Sequence, residues 1–144
     1  MSAHKKKIMV FGVFDGLHKG HQFFLREARK HGDILTVSLA CETAVRLLKN
    51  RVPKFSFEER KKALLISGLV DNVIMSDEEA ESWVGLSRLK PDVIVLGHDQ
   101  EVLYEALMRA HKYFDFSIHF KVAEAFEPKT YNSTRLFHAN EYKV

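Results

Sequence analysis

The chain has 144 residues, 46% apolar and 28% charged, with a net charge of +3. Those proportions describe one soluble globular domain and exclude a disordered or fibrous chain. They also argue against a nucleic-acid binder, which would carry a denser basic stripe than short clusters such as Lys5-Lys6-Lys7. One cysteine, Cys41, excludes an internal disulfide and fits a reducing cytoplasm. No apolar run reaches the roughly 18 residues of a membrane span, and the N-terminus has no secretory apolar region. A cytoplasmic protein without membrane or nucleic-acid partners is expected.

In chain order, residues 7–11 form an apolar run suited to a strand buried on both faces. Gly12, Gly16 and Gly20 punctuate a turn, and a helix follows with Leu17, His21, Phe24, Leu25 and Ala28 at helical spacing. Gly32 is expected to end that helix as a left-handed cap. Residues 34–39 read as a second buried strand, with Cys41 a small buried residue at its end. A short helix over 42–49 leads to a loop carrying Lys49, Arg51 and Lys54. Ser56 and Glu59 form a capping box that announces a helix over 57–67, stopped by Gly68. Residues 70–75 are a third strand candidate. The acidic stretch 76–81 is expected to cap a helix to about Arg88, with Trp83, Leu86 and Leu89 facing inward. Pro91-Asp92 breaks it, 93–96 is a strand, and Gly97 to Gln100 a turn. A helix over 101–112, an edge strand over 117–122, a loop over 127–132 and a last helix capped by Asn132 or Ser133 complete the chain.

Strands alternating with helices imply an α/β fold: one Rossmann-like domain over 1–144, its five-stranded parallel sheet in the order 3-2-1-4-5 with helices on both faces. Ligands of such sheets bind past the carboxyl ends of the strands, where the two glycine turns fall. At the first turn, His18 and His21 lie three apart where a helix N-terminus presents amides and a partial positive charge, which makes a phosphate site with two imidazoles. A single histidine in that place would more often be structural. Asp15 reads better as ordering the turn than as chemistry, Lys49 and Arg51 are as compatible with a solvated face as with a site, and Ser133 and Thr134 could be a plain N-cap. Arg60 is either a helix-surface charge or a partner behind the site. The spacing matches neither the dinucleotide fingerprint nor the Walker loop, and no zinc pattern or Gly-x-Ser-x-Gly elbow is present.

Gly12-Val13-Phe14-Asp15-Gly16-Leu17-His18-Lys19-Gly20-His21 closely resembles the signature of the nucleotidylyltransferase superfamily. Ser56-Phe57-Glu58-Glu59-Arg60, Val70-Asp71, the stretch from Lys90-Pro91-Asp92 to Gly97-His98-Asp99-Gln100, and Asn132-Ser133-Thr134-Arg135 resemble further motifs of that family in the same order. The resemblance implies transfer of a nucleoside monophosphate from ATP or CTP to a phosphorylated acceptor, with release of pyrophosphate. It implies that His18 and His21 hold the triphosphate and that Val13 and Phe14 offer backbone amides. Gly97, Asp99 and Gln100 would meet the nucleoside, Asn132, Ser133, Thr134 and Arg135 would close over the β,γ-phosphates, and Lys49 and Arg51 would touch phosphate. Mg²⁺ would arrive with the triphosphate, no residue is expected as a metal ligand, and relatives imply a homodimer.

The glycerol-phosphate cytidylyltransferase branch has arginines where this chain has Gly68 and Glu127, and a threonine where it has Val13. By contrast Gly97-His98-Asp99-Gln100 and the run from Glu42 to Lys49 resemble the archaeal-type FAD synthases, which adenylylate FMN. Those carry a cysteine-containing tail that this sequence lacks. AMP transfer from ATP to FMN is therefore the first expectation. Cytidylylation of glycerol 3-phosphate or a similar phosphate is the alternative, followed by another acceptor such as a sugar phosphate, with a non-catalytic nucleotide-binding module and then an RNA-binding role as readings of another class.

Overall fold

In the computed structural model, residues 4–79 and 81–125 are described. The apolar run becomes β1 (Lys7–Gly12), the middle strand of a parallel sheet. It pairs with β2 (Ile34–Leu39) on one side and β4 (Val93–Leu96) on the other. β3 (Asn72–Met75) and β5 (His119–Val122) are the edges, giving the order β3-β2-β1-β4-β5. The direction of travel across the sheet reverses at β1, so the crevice past its carboxyl end is the expected ligand position.

The side-chain alternation of β1 sorts the core into two layers. Ile8 and Val10 face α1 (Lys19–Arg29) and α3 (Phe57–Ser67), packing with Phe24, Leu25, Ala28 and Leu64. Met9 faces α4 (Val84–Leu89) and α5 (Glu101–Ala110), packing with Leu86, Ile94 and Leu107. Each fully buried leucine, isoleucine or phenylalanine in these layers stabilises the fold by about 1.5–3 kcal/mol. The short α2 (Glu42–Lys49) seals the end of the sheet through Val45, which packs with Val13 and Ala40.

Three expectations are corrected. Gly32 is not a left-handed cap: α1 ends at Lys30 in the right-handed region, and Gly16 and Gly68 are the described glycines with positive φ. Gly32 is needed for space, since a Cβ there would lie 2.7 Å from Ile8 Cγ1 and 2.9 Å from the Lys6 carbonyl. The helix after the acidic stretch starts only at Val84, for a reason taken up below. The helix begun at Glu101 ends at Ala110 and tightens into a 3₁₀ turn over His111–Tyr113. The loop over 127–132 and the terminal helix lie outside the described residues.

The amino edge of the sheet is closed by three aspartates, each placed one residue before a strand. The Asp33 amide donates to the Lys6 carbonyl at 2.8 Å, and its carboxylate accepts from the Lys6 amide at 2.8 Å. Asp71 makes the same reciprocal pair with Leu35 at 2.9 and 2.8 Å, and Asp92 with Lys7 at 2.9 and 2.8 Å.

Candidate active site

The chain leaves β1 through a turn that only two left-handed residues make possible. Phe14 sits at φ 46° and Gly16 at φ 95°, and the Gly16 amide closes the turn on the Phe14 carbonyl at 3.1 Å. Such a φ is uncommon for a bulky side chain; it is offset here because the Phe14 ring is buried among β1, α1 and α3 and meets the His21 ring edge-on at 5.0 Å. Among the described residues, the amides of Val13 and Phe14 donate to no protein group.

His18 and His21 build the start of α1 between them. His18 is the N-cap, its Nδ1 accepting from the Gly20 amide at 3.0 Å and the His21 amide at 3.3 Å. In return His21 Nδ1 accepts from the His18 amide at 3.3 Å, which completes a capping box made of two imidazoles. The rings stack with centroids 3.7 Å apart, His21 buried and His18 exposed. With Nδ1 accepting, each neutral ring carries its proton on Nε2, which is therefore a donor. Two such donors at a helix N-terminus suit an oxyanion.

A layer of charges holds this turn in place. The Asp15 carboxylate accepts from the amides of Lys54 at 2.8 Å and Phe55 at 2.9 Å and pairs with Arg51 at 3.3 Å. Burial alone would raise the Asp15 carboxyl, but those amides and the guanidinium overcome it and hold it below its ordinary 3.8. Asp15 thus orders the turn, as its sequence position predicts. Arg60 is only 1% exposed and sits behind the turn. It donates to the carbonyls of Val13 at 3.0 Å, Ala40 at 2.8 Å and Phe55 at 3.0 Å. Burial lowers its pKa, opposed by the charges of Asp15 and Glu42. One guanidinium therefore ties together the loops that leave β1 and β2 and the entry to α3. Lys49, half-buried, is the last residue of α2.

The second glycine turn lies beside the first. Gln100 is 2% exposed; its Oε1 accepts from the Gly97 amide at 2.8 Å and its Nε2 donates to the Phe11 carbonyl at 3.0 Å. The Gln100 amide fastens this turn to the end of β1, and the residue also lines the neighbouring cavity. Gly97 is thereby tied to the end of β1 through Gln100, and the half-buried Asp99 lies in the same turn. Asn132, Ser133, Thr134 and Arg135 lie outside the described residues.

A cavity of about 280 Å³ opens against the same turn, with Gly12 and Val13 in its wall. Its other walls are largely apolar: Met9 and Phe11 of β1, Ala44 and Leu47 of α2, Trp83 and Leu86 at α4, and Leu103 of α5. Asp77, Glu78, Glu79 and Glu81 border it. No periodicity marks this cavity in the sequence, because its walls come from separate elements; an inward Trp83 is the one signal that was available.

Anion donors at the carboxyl end of the central strand and an apolar chamber walled by the neighbouring connections, Gln100 of the second turn among them, fit a Rossmann-like nucleotidylyltransferase. The chain belongs to the cytidylyltransferase-like family, which matches residues 9–138. It is 40% identical over 111 residues to the FAD synthase of Pyrococcus horikoshii, covering 77% of this chain and 75% of that one. To the FAD synthase of Archaeoglobus fulgidus it is 45% identical over 92 residues, 64% of this chain and 65% of that one. Among solved structures, the lipopolysaccharide core biosynthesis protein of Thermoplasma volcanium superposes with a TM-score of 0.77 at 28% identity, covering 86% of this chain and 100% of that one. Among the described residues no helix is long and apolar enough to cross a membrane.

Proposed function

We propose that this protein transfers AMP from ATP to FMN, forming FAD and pyrophosphate. The observation that carries the choice of acceptor is the apolar cavity beside the histidine turn. A glycerol or sugar phosphate would leave such walls wetted and unfilled, whereas a flat three-ring system covers them. Besides Asp77, whose carboxylate caps α4, and Glu81, which pairs with Arg109 at 3.6 Å, the acidic residues Glu78 and Glu79 border the chamber. They disfavour an anion near them, so the acceptor's ring lies toward them and its phosphate toward the imidazoles. The names of the similar archaeal proteins point the same way.

In this reading an oxygen of the FMN phosphate attacks the α-phosphorus of ATP in line, the new P–O bond forming as the bond to pyrophosphate breaks. No protein nucleophile is needed, and positioning and charge stabilisation carry the rate. The Nε2 donors of His18 and His21, with the amides of Val13 and Phe14, meet the oxygens on which charge develops. Lys49 and the terminal Ser133, Thr134 and Arg135 take the phosphates, while Gly97 and Asp99 take the nucleoside. Among the described residues no three histidine, cysteine or acidic side chains form a metal cage. A Mg²⁺ ion arriving with the triphosphate would be held mainly by its oxygens, the usual manner for this cation, and would neutralise their charge.

The test is to supply ATP, FMN and Mg²⁺ and follow FAD by chromatography and pyrophosphate by a coupled assay, with CTP and glycerol 3-phosphate as comparators. FAD formed in step with pyrophosphate is expected. Pyrophosphate released only with CTP and glycerol 3-phosphate, or nucleotide binding with no turnover of any acceptor, would overturn the reading.

A further inference from the structure

The connection from β3 to α4 is built in an unusual way. Glu81 at φ 61° and Trp83 at φ 56° both occupy the left-handed region, one that bulky side chains avoid. Trp83 is also the N-cap of α4 and makes no capping hydrogen bond. A serine, asparagine or aspartate at that position would cap the helix with ordinary backbone. Capping is done instead from six residues upstream. The Asp77 carboxylate accepts from the Val84 amide at 2.8 Å, the Gly85 amide at 3.3 Å and the Ser82 hydroxyl at 2.9 Å. The N-cap position is thereby released for an indole. That indole is half-buried, packs against the Leu86 and Leu107 layer and forms part of the cavity wall. Strained conformations of this kind persist where the surroundings over-determine them, and they cluster at ligand clamps.

We infer that Trp83 is the platform on which the acceptor's ring system stacks, and that Asp77 is the positioning residue that holds it there. This rests on the reading of the acceptor as FMN. The stacking of a flat aromatic ligand on an indole is tolerant of ring substituents and strong enough to set acceptor affinity. It also explains why the chamber selects a ring-bearing phosphate over a small polyol phosphate: the polyol offers no face to stack.

Trp83 is the one tryptophan of the chain, so its emission reports FMN bound near it, and its variants test the contact itself. Titration of the wild-type protein with FMN, in the absence of ATP, is expected to quench tryptophan emission saturably. In steady-state assays Trp83→Ala is expected to raise the KM for FMN about tenfold, as stacking losses do, with the KM for ATP within about twofold. Trp83→Phe keeps most of the FMN affinity. Asp77→Ala raises the FMN KM in the wild-type background and adds nothing in the Trp83→Ala background, since a positioning residue has no effect once its client is gone. The inference is overturned if FMN fails to quench, if Trp83→Ala makes FAD with an unchanged FMN KM, or if both KM values rise together. No FAD from FMN while another acceptor is consumed would instead overturn the functional reading, and the platform with it.

Discussion

The two edges of the sheet solve opposite problems. At the amino edge Asp33, Asp71 and Asp92 each exchange two hydrogen bonds with a neighbouring strand, so strand-start amides are satisfied inside the protein. At the carboxyl edge the connections hold Phe14, Glu81 and Trp83 at positive φ, and the amides of Val13 and Phe14 meet no acceptor among the described residues. Carboxylates close one edge; imidazoles and open amides line the other. The difference is what a binding site requires: donors satisfied internally add stability, and donors left for a ligand add affinity at some cost in stability. Arg60 stands between these regimes, a buried cation whose three carbonyl partners stiffen the open edge from behind.

Substitutions at the two edges should therefore separate turnover from stability. The largest effect is expected for His18→Ala, with kcat for nucleotidyl transfer falling by about 10² to 10³ because a donor to developing charge is lost. The lost cap should cost only about 1 kcal/mol of unfolding free energy. A stability loss with unchanged kcat would reduce His18 to a cap. Next is Arg60→Met, which strips buried carbonyls at Val13, Ala40 and Phe55 of their donor. A loss of about 2–4 kcal/mol in urea unfolding is expected, and nucleotide affinity falls with it as the turn loosens. An equally stable variant would show that water takes over those carbonyls.

The smallest effect belongs to the closed edge. Asp92→Ala removes the acceptor of the Lys7 amide and should cost about 1 kcal/mol with kcat unchanged. A fall in kcat would break the contrast between the edges. Asp71 and Asp92 at this edge contribute to the acid limit, as Asp15 does at the other. Asp71 lies below its ordinary 3.8, chiefly through Arg29. Asp92 does so because the Lys7 amide and His4 outweigh the opposing effect of burial. A carboxyl lowered on folding stabilises fully above 3.8, and that contribution is lost as pH falls through the lowered native value. Thermal melts should be flat above about pH 5 and fall steeply below about pH 4, less so for Asp92→Ala. An unchanged slope in the variant would show that other carboxyls dominate.

Much of this was legible residue by residue. Helix starts set by a contact three residues away could be read directly, as Ser56 with Glu59 and the spacing of His18 and His21 demonstrate. Buried strands announced themselves because a parallel strand covered on both faces must be apolar throughout. Features whose partners lie far along the chain were not legible. Asp71 finds Leu35 across 36 positions, Asp92 finds Lys7 across 85, and Arg60 reaches Val13 across 47. Gly32 shows the same limit: it looks like a helix cap, yet it is the approach of Ile8 that excludes a side chain.

The sequence by itself thus determined the α/β class and the helix that opens on His18 and His21, because local periodicity and i, i+3 contacts encode them; the family came from the resemblance of its motifs. The tertiary structure alone decided that Gln100 fastens a turn to β1, that Arg60 is a buried tie, and that Asp77 caps α4 so that Trp83 can face a cavity. Those outcomes depend on which elements the sheet order brings side by side, and a cavity is a property of the space between elements that no single one of them carries.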